Sequence, residues 1–274
     1  MRTLTSGIDV SQWQGVIDWA KVKAAGVQFA LIRAGYGDTL SYPNQVDTQF
    51  ERNYSECKRL GIPVGVYFYS YATTADAAKR EAQSCLALLK GKQFEMPIYY
   101  DVEEYYIFKS GKTADVSRAF ISELEKAGYW VGIYTYRSAM GYFPDDIKNG
   151  KAMAIAEYGD KLNYSGQYGI WQNSSTWRVQ GISGNVDHDY CYVDYPTLIK
   201  QNGKNGFAKP ETRVETTQDS DIMTGTASAP PVAAVARKGV QYTIDKTMTM
   251  GGNTYGHIKG TADRWINLKT CKTI

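Results

Sequence analysis

The segment Pro97-Ile98-Tyr99-Tyr100-Asp101-Val102-Glu103 combines an apolar strand with two carboxylates that are one residue apart. Alternate residues of a strand point to the same face, so Asp101 and Glu103 are expected side by side, roughly 6–7 Å apart at about 3.3 Å per residue. Buried carboxylates are costly unless they are compensated, and two close together raise the pKa of one. A protonated acid beside an ionised carboxylate is the arrangement that cleavage of a glycosidic bond requires.

Similar apolar runs of strand length recur through about the first 200 residues. They are nearly continuous in large apolar residues, as expected of strands that are buried on both faces. Their polar residues concentrate toward their C-terminal ends, which is where α/β proteins place active sites. The eight runs are Gly7–Val10, Phe29–Gly35, Val64–Ser70, Ile98–Glu103, Val131–Tyr136, Met153–Tyr158, Gly169–Ser174 and Val186–Tyr192.

Segments with helical spacing separate the first five runs, and each ends at a glycine that can cap a helix. The last three runs start only 16–22 residues apart, which leaves little room for a crossover helix. This pattern predicts an α/β fold, an irregular TIM-like barrel of five βα units followed by three strands with short connections. The predicted helices are Asp18–Ala25, Asp47–Leu60, Thr74–Lys90 and Thr113–Ala127.

The composition changes after the predicted barrel, which we assign to residues 1–205. Residues 206–237 are rich in Thr, Ser, Ala and Pro and are predicted to be a linker. Residues 238–274 alternate polar and apolar side chains, which predicts a small β-rich module of two or three strands with Gly-rich turns. A segment of this size rarely folds alone. Three arrangements are open: it recruits part of the linker, it packs on the barrel, or it forms an oligomer.

Charge and composition exclude several classes of function. The 31 basic and 28 acidic residues are too balanced for a protein that mainly binds nucleic acid. No run of about 18 apolar residues exists, so insertion into a membrane is not expected. Two histidines and four cysteines without CxxC spacing predict neither a metal site nor a cofactor. The segment Met1–Ser6 lacks the apolar core of a signal peptide, which predicts synthesis in a cytoplasm and release by another factor.

Carboxylates at the ends of strand-like runs are the candidate catalytic residues. A single Asp in such a place is more often a turn or helix cap, as expected for Asp18, which precedes a helical segment. Capping requires one carboxylate, however, and not two on one face. The role of Asp189 is left open, although it shares a face with Asp187 if the segment is a strand. The four candidates are Asp9, Asp101, Glu103 and Asp187.

Several ordered motifs resemble those of the glycoside hydrolase family 25 lysozymes, over about residues 5–200. The opening resembles theirs in Gly7–Gly15 (GIDVSQWQG) and in Ile17-Asp18-Trp19. The sequence departs from the commonest family pattern at Asp189, where Asn is more frequent. Members of this family are N-acetylmuramidases, many of them phage endolysins or bacterial autolysins. The further matching segments are Phe29–Gly37 (FALIRAGYG), Gly61–Ser70 (GIPVGVYFYS), Asp101-Val102-Glu103, Ile170-Trp171-Gln172 and Val186-Asp187-His188-Asp189.

The resemblance implies a peptidoglycan hydrolase that cleaves the β-1,4 bond between N-acetylmuramic acid and N-acetylglucosamine. Glu103 would be the general acid and later the base, and Asp101 the ionised stabiliser, with Asp9 and Asp187 in the same acidic mouth. It also favours net retention, with the N-acetyl group of the substrate as one possible nucleophile. For Arg33, a structural role is the alternative to contact with this cluster. The candidate substrate-binding residues are Arg33, Tyr67, Tyr69, Tyr134, Tyr158 and Trp171.

The alternative function is a non-catalytic protein that binds cell-wall carbohydrate on the same barrel. It would be expected to lack Asp101 or Glu103, and both are present. A chitinase would carry a longer acidic motif, and a metal-dependent deacetylase would carry more histidines. The expected partner is therefore peptidoglycan, with a Gram-positive wall and a phage origin favoured. Residues 238–274 resemble a bacterial SH3-like module and are predicted to bind the wall or to form an oligomer.

Overall fold

The computed structural model describes residues 5–225 and 231–274. Residues 1–4, part of the N-terminal segment that is predicted not to be a signal peptide, lie outside the described residues. So do residues 226–230, which belong to the predicted linker. The chain divides into two compact units, Met1–Lys209 and Pro210–Ile274, and each is described by itself.

Eight strands of the first unit form a closed barrel, in which the order in space follows the order along the chain. Each strand overlaps one of the eight predicted runs, so the predicted α/β barrel is confirmed. Differences at the ends are one to three residues. The strands are β1 (Thr5–Val10), β2 (Phe29–Tyr36), β3 (Val64–Tyr69), β4 (Ile98–Asp101), β5 (Val131–Tyr136), β6 (Ala152–Ala156), β7 (Ile170–Trp177) and β8 (Val186–Cys191).

Helices follow each of the first five strands, as predicted, and the four predicted helices are confirmed at Trp19–Ala24, Phe50–Leu60, Ala75–Leu89 and Thr113–Lys126. Asp18 caps the first of them, since its carboxylate accepts a hydrogen bond from the backbone N–H of Lys21 at 3.2 Å. The unpredicted helices are too short to show a periodic pattern. The helices are α1 (Trp19–Ala24), α2 (Phe50–Leu60), α3 (Ala75–Leu89), α4 (Tyr105–Lys109), α5 (Thr113–Lys126), α6 (Asp145–Gly150) and α7 (Tyr195–Gln201), with 3₁₀ turns at Gln12–Gln14, Pro43–Gln45, Arg137–Tyr142 and Leu268–Thr270.

Strand β8 closes the barrel by pairing antiparallel with both β7 and β1, while the other neighbouring strands of the barrel are parallel. A short connection cannot return the chain to the same end of a sheet, but it can form an antiparallel pair. The sequence predicted the short connections and did not predict this direction. The antiparallel register places Asp9 opposite Asp187, and Gly7 opposite Asp189.

Strand β4 ends at Asp101, two residues before the predicted end of this run. The hydrogen bond from the Val102 N–H to the Tyr134 carbonyl, at 3.0 Å, is the last that joins this segment to β5. The chain then turns into α4. The prediction that Glu103 lies within the strand is therefore wrong, because Glu103 lies in the short loop between β4 and α4.

The interior of the barrel is packed at one end and open at the other. Phe29, Leu31 and Tyr99 belong to one buried apolar cluster. Because side chains alternate along a strand, Arg33 and Asp101 follow Leu31 and Tyr99 on the same face. The inward side chains thus change from apolar to polar toward the C-terminal ends of the strands, and the polar end contains the cavity described below.

The second unit is a sheet of seven antiparallel strands around a small core that includes Ile222, Ile244 and Ile266. Three of its strands come from residues 206–237, so the prediction that this segment is a linker is wrong for most of its described length. The module recruits it because four strands at the C-terminus are too few to cover the core. The strands are β9 (Thr212–Thr216), β10 (Ser220–Thr224), β11 (Val232–Ala236), β12 (Gln241–Met250), β13 (Asn253–Ile258), β14 (Arg264–Asn267) and β15 (Cys271–Thr273).

Asn205, near the end of the first unit, hydrogen-bonds to the segments that precede β4 and β5. It is fully buried, and its amide donates hydrogen bonds to the carbonyls of Phe94 at 3.2 Å and Met96 at 2.9 Å. Its side-chain oxygen accepts a hydrogen bond from the Trp130 N–H at 2.7 Å. Its backbone has a φ of 54°, which Asn tolerates better than most residues. The side chain therefore satisfies three buried backbone groups at once.

Replacing Asn205 with Ala should lower the free energy of unfolding of the barrel by about 3 kcal/mol, because buried backbone groups lose their partners. Asn205→Gly retains the backbone freedom and should lose a similar amount, which separates hydrogen bonding from strain. Chemical denaturation monitored by tryptophan fluorescence measures both. Asn202→Ala, at an exposed position on the same segment, is the control. Equal stability of Asn205→Ala and Asn202→Ala would contradict this role.

Candidate active site

A cavity of about 330 Å³ opens at the C-terminal ends of the barrel strands. It brings together all four predicted acids and five of the six predicted substrate-binding residues. It also contains residues for which the sequence analysis predicted no role in the site. The lining residues are Asp9, Ser11, Trp13, Gln14, Leu31, Arg33, Tyr67, Tyr69, Tyr99, Asp101, Glu103, Tyr134, Tyr158, Gln172, Asp187 and Asp189.

Asp101 is the more enclosed member of the predicted catalytic pair. Its side chain is buried, and its Oδ1 atom has no hydrogen-bond partner in the described structure. Burial raises the pKa of Asp101 well above its usual range, and the nearby charge of Glu103 raises it further. The guanidinium of Arg33 acts in the opposite direction and lowers this pKa. Arg33 therefore favours the ionised form of Asp101.

Glu103 is half-buried and faces the cavity from the loop that follows β4. Burial raises the pKa of Glu103, the charges of Glu104 and Asp187 raise it further, and the Tyr69 hydroxyl lowers it. That hydroxyl also donates a hydrogen bond to Glu104 Oε1 at 2.9 Å. Because the pKa values of Asp101 and Glu103 are both raised, the two carboxyls form a coupled pair that holds a proton more tightly than isolated carboxyls do.

A hydrogen-bonded chain in the cavity links β5, which is next to β4, with β7 and β1. The Tyr134 hydroxyl donates to Gln172 Oε1 at 2.9 Å, and Gln172 Nε2 donates to Asp9 Oδ2 at 2.6 Å. The chain fixes the orientation of the Gln172 amide, since its oxygen and its nitrogen have different partners. Burial, followed by the charges of Asp189 and Asp187, raises the pKa of Asp9 well above its usual range.

Arg33 has both of the roles between which the sequence left a choice. Its Nε donates to Asp47 Oδ2 at 2.8 Å, and Asp47 also accepts hydrogen bonds from the backbone of Gln12 and Gln49. This contact holds the loop before α2. The Arg33 Nη2 atom is buried without a hydrogen-bond partner in the described structure, and the side chain lines the cavity. The sequence predicted Asp47 as the first residue of a helix and not as a partner of Arg33, because nothing in the local sequence indicates this contact between distant segments.

Trp171 does not line the cavity, in contrast to its prediction as a sugar-contacting residue. It is buried, and its indole N–H donates to the carbonyl of Glu157 at 2.8 Å. Successive residues of a strand point to opposite faces, and the next residue, Gln172, points into the cavity. The motif Ile170-Trp171-Gln172 was therefore assigned to the site through the wrong residue, and strand alternation was the signal that could have identified Gln172.

Tyrosines and one tryptophan shape the cavity walls. Tyr67 and Tyr134 are partly buried, whereas Tyr158 is 60% exposed. Trp13, for which no role was predicted, is 78% exposed and lies in the turn after β1. Exposed aromatic faces of this kind suit the apolar faces of sugar rings. Residues 5–225 and 231–274 contain no cluster of three or more His, Cys, Asp or Glu arranged to hold a metal ion.

The described part of the chain contains no helix that is both long enough and apolar enough to span a membrane.

Several known proteins are similar to this chain over about two thirds of its length. Among curated proteins, Lysozyme M1 of Streptomyces globisporus is 30% identical over 202 residues, which cover 67% of this chain and 66% of that protein. The autolytic lysozyme of Clostridium acetobutylicum is 29% identical over 187 residues, which cover 67% of this chain and 54% of the relative. The chain thus spans about half the length of the second relative.

Solved structures have the same barrel. The modular autolysin LytC from Streptococcus pneumoniae, at 31% identity and a TM-score of 0.61, covers 69% of this chain and 46% of its own. LytC has also been solved in complex with a synthetic peptidoglycan ligand, at 29% identity and a TM-score of 0.60, again over 69% of this chain and 46% of its own. The catalytic domain of an endolysin from Listeria bacteriophage P40 is similar in fold, with a TM-score of 0.61 at 23% identity over 73% of this chain and 98% of its own.

A model of the family described as "Glycosyl hydrolases family 25" matches residues 8–182. Because this match spans more than half of the chain, the chain belongs to the glycosyl hydrolases of family 25.

Proposed function

We propose that this glycoside hydrolase is a lysozyme that cleaves the β-1,4 bond between N-acetylmuramic acid and N-acetylglucosamine in peptidoglycan. The observation that carries the proposal is the coupled pair Asp101 and Glu103, whose pKa values are both raised, in a cavity walled by tyrosines. The names of the curated relatives, a lysozyme and an autolytic lysozyme, support the substrate class.

Glu103 is proposed as the general acid, which protonates the departing glycosidic oxygen and later activates water as a base. Two observations favour Glu103 over Asp101 as the proton donor. Glu103 is the more accessible of the two carboxyls from the cavity, and Asp101 faces the positive charge of Arg33. Burial alone acts in the other direction, because it raises the pKa of Asp101 more than that of Glu103. The proposed assignment therefore requires the charge of Arg33 and the positive charge that develops on the sugar to keep Asp101 ionised while Glu103 carries the proton.

Asp101 is proposed to stabilise the positive charge that develops on the sugar ring in the transition state. We propose net retention with the N-acetyl group of the substrate as the nucleophile. In that route Asp101 would orient and polarise the acetamido group and need not attack the sugar itself.

The tyrosines of the cavity are proposed to position the glycan. Tyr67, Tyr69 and Tyr134 line its wall, and the exposed ring of Tyr158 offers a stacking face at its mouth. Arg33 holds the loop through Asp47 and also lines the cavity. Asp9 and Asp187 would set the electrostatic field beneath the bound sugar.

The second unit, residues 210–274, is proposed to bind the wall of a Gram-positive bacterium, with self-association through this unit as the alternative. We place the site of action at the cell wall after release from the cell in which the protein is made, as for a phage endolysin. The similarity in fold to the phage P40 endolysin is consistent with this origin.

Glu103→Gln should reduce the turnover of purified peptidoglycan by about 10²–10⁴-fold, because an amide cannot donate and recover the proton. Reducing-end release measures turnover, and circular dichroism checks folding. Glu104→Gln is the matched control at the neighbouring carboxylate and should remain active. Because Glu104 raises the pKa of Glu103, the alkaline limb of its pH–rate profile should move to lower pH. Near-normal turnover by Glu103→Gln would refute the assignment.

Digestion of peptidoglycan should create new reducing ends on N-acetylmuramic acid, since the proposed cut lies on the C1 side of that sugar. Mass spectrometry of borohydride-reduced products identifies the sugar that carries each new end. NMR of the fresh product should show the β-anomer first if the configuration is retained. Reduced N-acetylglucosamine would instead identify a glucosaminidase.

Deleting residues 210–274 should leave a folded barrel, because the boundary follows Asn205 and all of its contacts. Sedimentation with purified Gram-positive walls should then show weaker binding, while cleavage of short soluble fragments is retained. Equal sedimentation of the full chain and the truncated chain would show that the second unit does not bind the wall under these conditions.

A further inference from the structure

Three carboxyls meet where the last barrel strand pairs with the first. Asp9 of β1 is opposite Asp187 of β8, and Asp189 lies two residues further along β8, opposite Gln172 of β7. Side chains two residues apart on a strand share a face, so Asp187 and Asp189 both point into the cavity with Asp9. Asp187 is half-buried, and Asp189 is only 2% exposed.

Among the described residues, few positively charged side chains and few hydrogen-bond donors surround these three acids. Gln172 Nε2 donates to Asp9 Oδ2, and the other end of that amide is occupied by Tyr134. Arg33 is engaged by Asp47. His188 lies between two of the acids in sequence but points to the opposite face, where its ring nitrogens are 2.7 Å from Ser6 Oγ and from Asn173 Oδ1.

Asp189 is left with an unsatisfied polar atom. Its Oδ2 is buried and has no hydrogen-bond partner among the described residues. A buried, ionised and unpartnered carboxylate next to a second carboxylate is strongly unfavourable. A proton between two carboxyl oxygens removes one charge and supplies the missing donor, as in other coupled carboxyl pairs.

We propose that Asp189 and Asp9 share one proton across the β1–β8 seam, which makes Asp189 a positioning residue that holds Asp9 against Gln172. The seam then carries two negative charges instead of three, and one of them belongs to Asp187 at the cavity surface. The effect on catalysis rests on the proposed function, whereas the shared proton does not. The shared proton requires an aspartate at position 189. An Asn there could donate a hydrogen bond to Asp9 from its amide, which does not titrate.

A shared proton requires raised pKa values at both carboxyls, and burial and nearby charges raise them. Burial, followed by the charge of Asp187, raises the pKa of Asp189 well above its usual range, and Asp9 is shifted in the same direction. Both carboxyls therefore retain protons to higher pH than they do in the unfolded chain. The titratable and charged groups around the pair, from the elements that pack on it, are Arg33, Tyr67, Tyr99, Asp101, Glu103, Tyr134, Tyr158, Asp187, Cys191 and Tyr195.

The sign of the effect on stability follows from this direction. A group whose pKa is raised on folding contributes stability below its unfolded pKa, and the contribution is lost as the pH rises through the folded pKa. The barrel should therefore lose stability toward alkaline pH, partly through the loss of the shared proton. Asp189→Asn retains the shape and supplies an amide donor, so its stability should decline less over the same pH range.

The direct test is infrared spectroscopy of the carboxylic acid C=O stretch at neutral pH in the full chain. Glu103→Gln is used as the background, because it removes one carboxyl of the catalytic pair, and the other buried carboxyls with raised pKa values, Asp101 and Glu81, are common to all variants. Relative to this background, the double variants Glu103→Gln/Asp189→Asn and Glu103→Gln/Asp9→Asn should each lose one component of the protonated-carboxyl band in the difference spectrum. The two partners serve as independent checks if one double variant folds poorly. Difference spectra without such a component in both double variants would overturn the proposal.

The catalytic consequence is measured separately, on the Asp189→Asn single variant. This variant lacks the titrating proton but keeps Asp9 held against Gln172, so its turnover of peptidoglycan should decline less steeply than that of the wild type as the pH rises toward the alkaline limb that Glu103 sets. Superimposable profiles would overturn the positioning role. If the wild type releases no reducing ends while the infrared band depends on Asp189, the shared proton is established and the proposed function fails.

Discussion

The pairing of β8 with β1 is the contact on which the rest of the first unit depends. It turns a row of strands into a closed barrel, and its antiparallel register sets two acids of β8 beside the acid of β1. A parallel strand at this place would need a crossover for which the chain has no room. The same pairing therefore supplies both the closure of the fold and one wall of the cavity.

The cavity is rich in carboxyls and poor in positive charge, and this imbalance determines the direction in which the pKa values of its acids are shifted. Five carboxyls line it, and the guanidinium of Arg33 is divided between Asp47 and the site. Desolvation and mutual repulsion then act together on the acids, and the pKa of each of the five is raised. An acidic cavity that holds protons suits an enzyme that must deliver one to a leaving group.

The sequence predicted the barrel because long apolar runs alternated with helical segments. Three of the predicted acids lie together because parallel strands end at one edge, whereas Asp187 joins them from the start of the antiparallel β8. It failed where the decisive contact is non-local. Asp47 has its role only through Arg33, and Gln172 only through Tyr134 and Asp9. The predicted linker is wrong because small polar residues occur in exposed strands as well as in coil. The difference becomes visible only in the pairing of β9 with β12 and of β10 with β14.

Closure by β8 also bears on how the chain reaches its folded state. The first and last strands of the barrel must meet across almost the whole length of the unit, and such long-range pairing is slow because chain entropy is lost before the contact forms. Until β8 has emerged from the ribosome, β1 has an unpaired edge toward it, and exposed edges invite association between chains. During synthesis, the last strand of the barrel therefore decides how long the nascent chain remains vulnerable to aggregation.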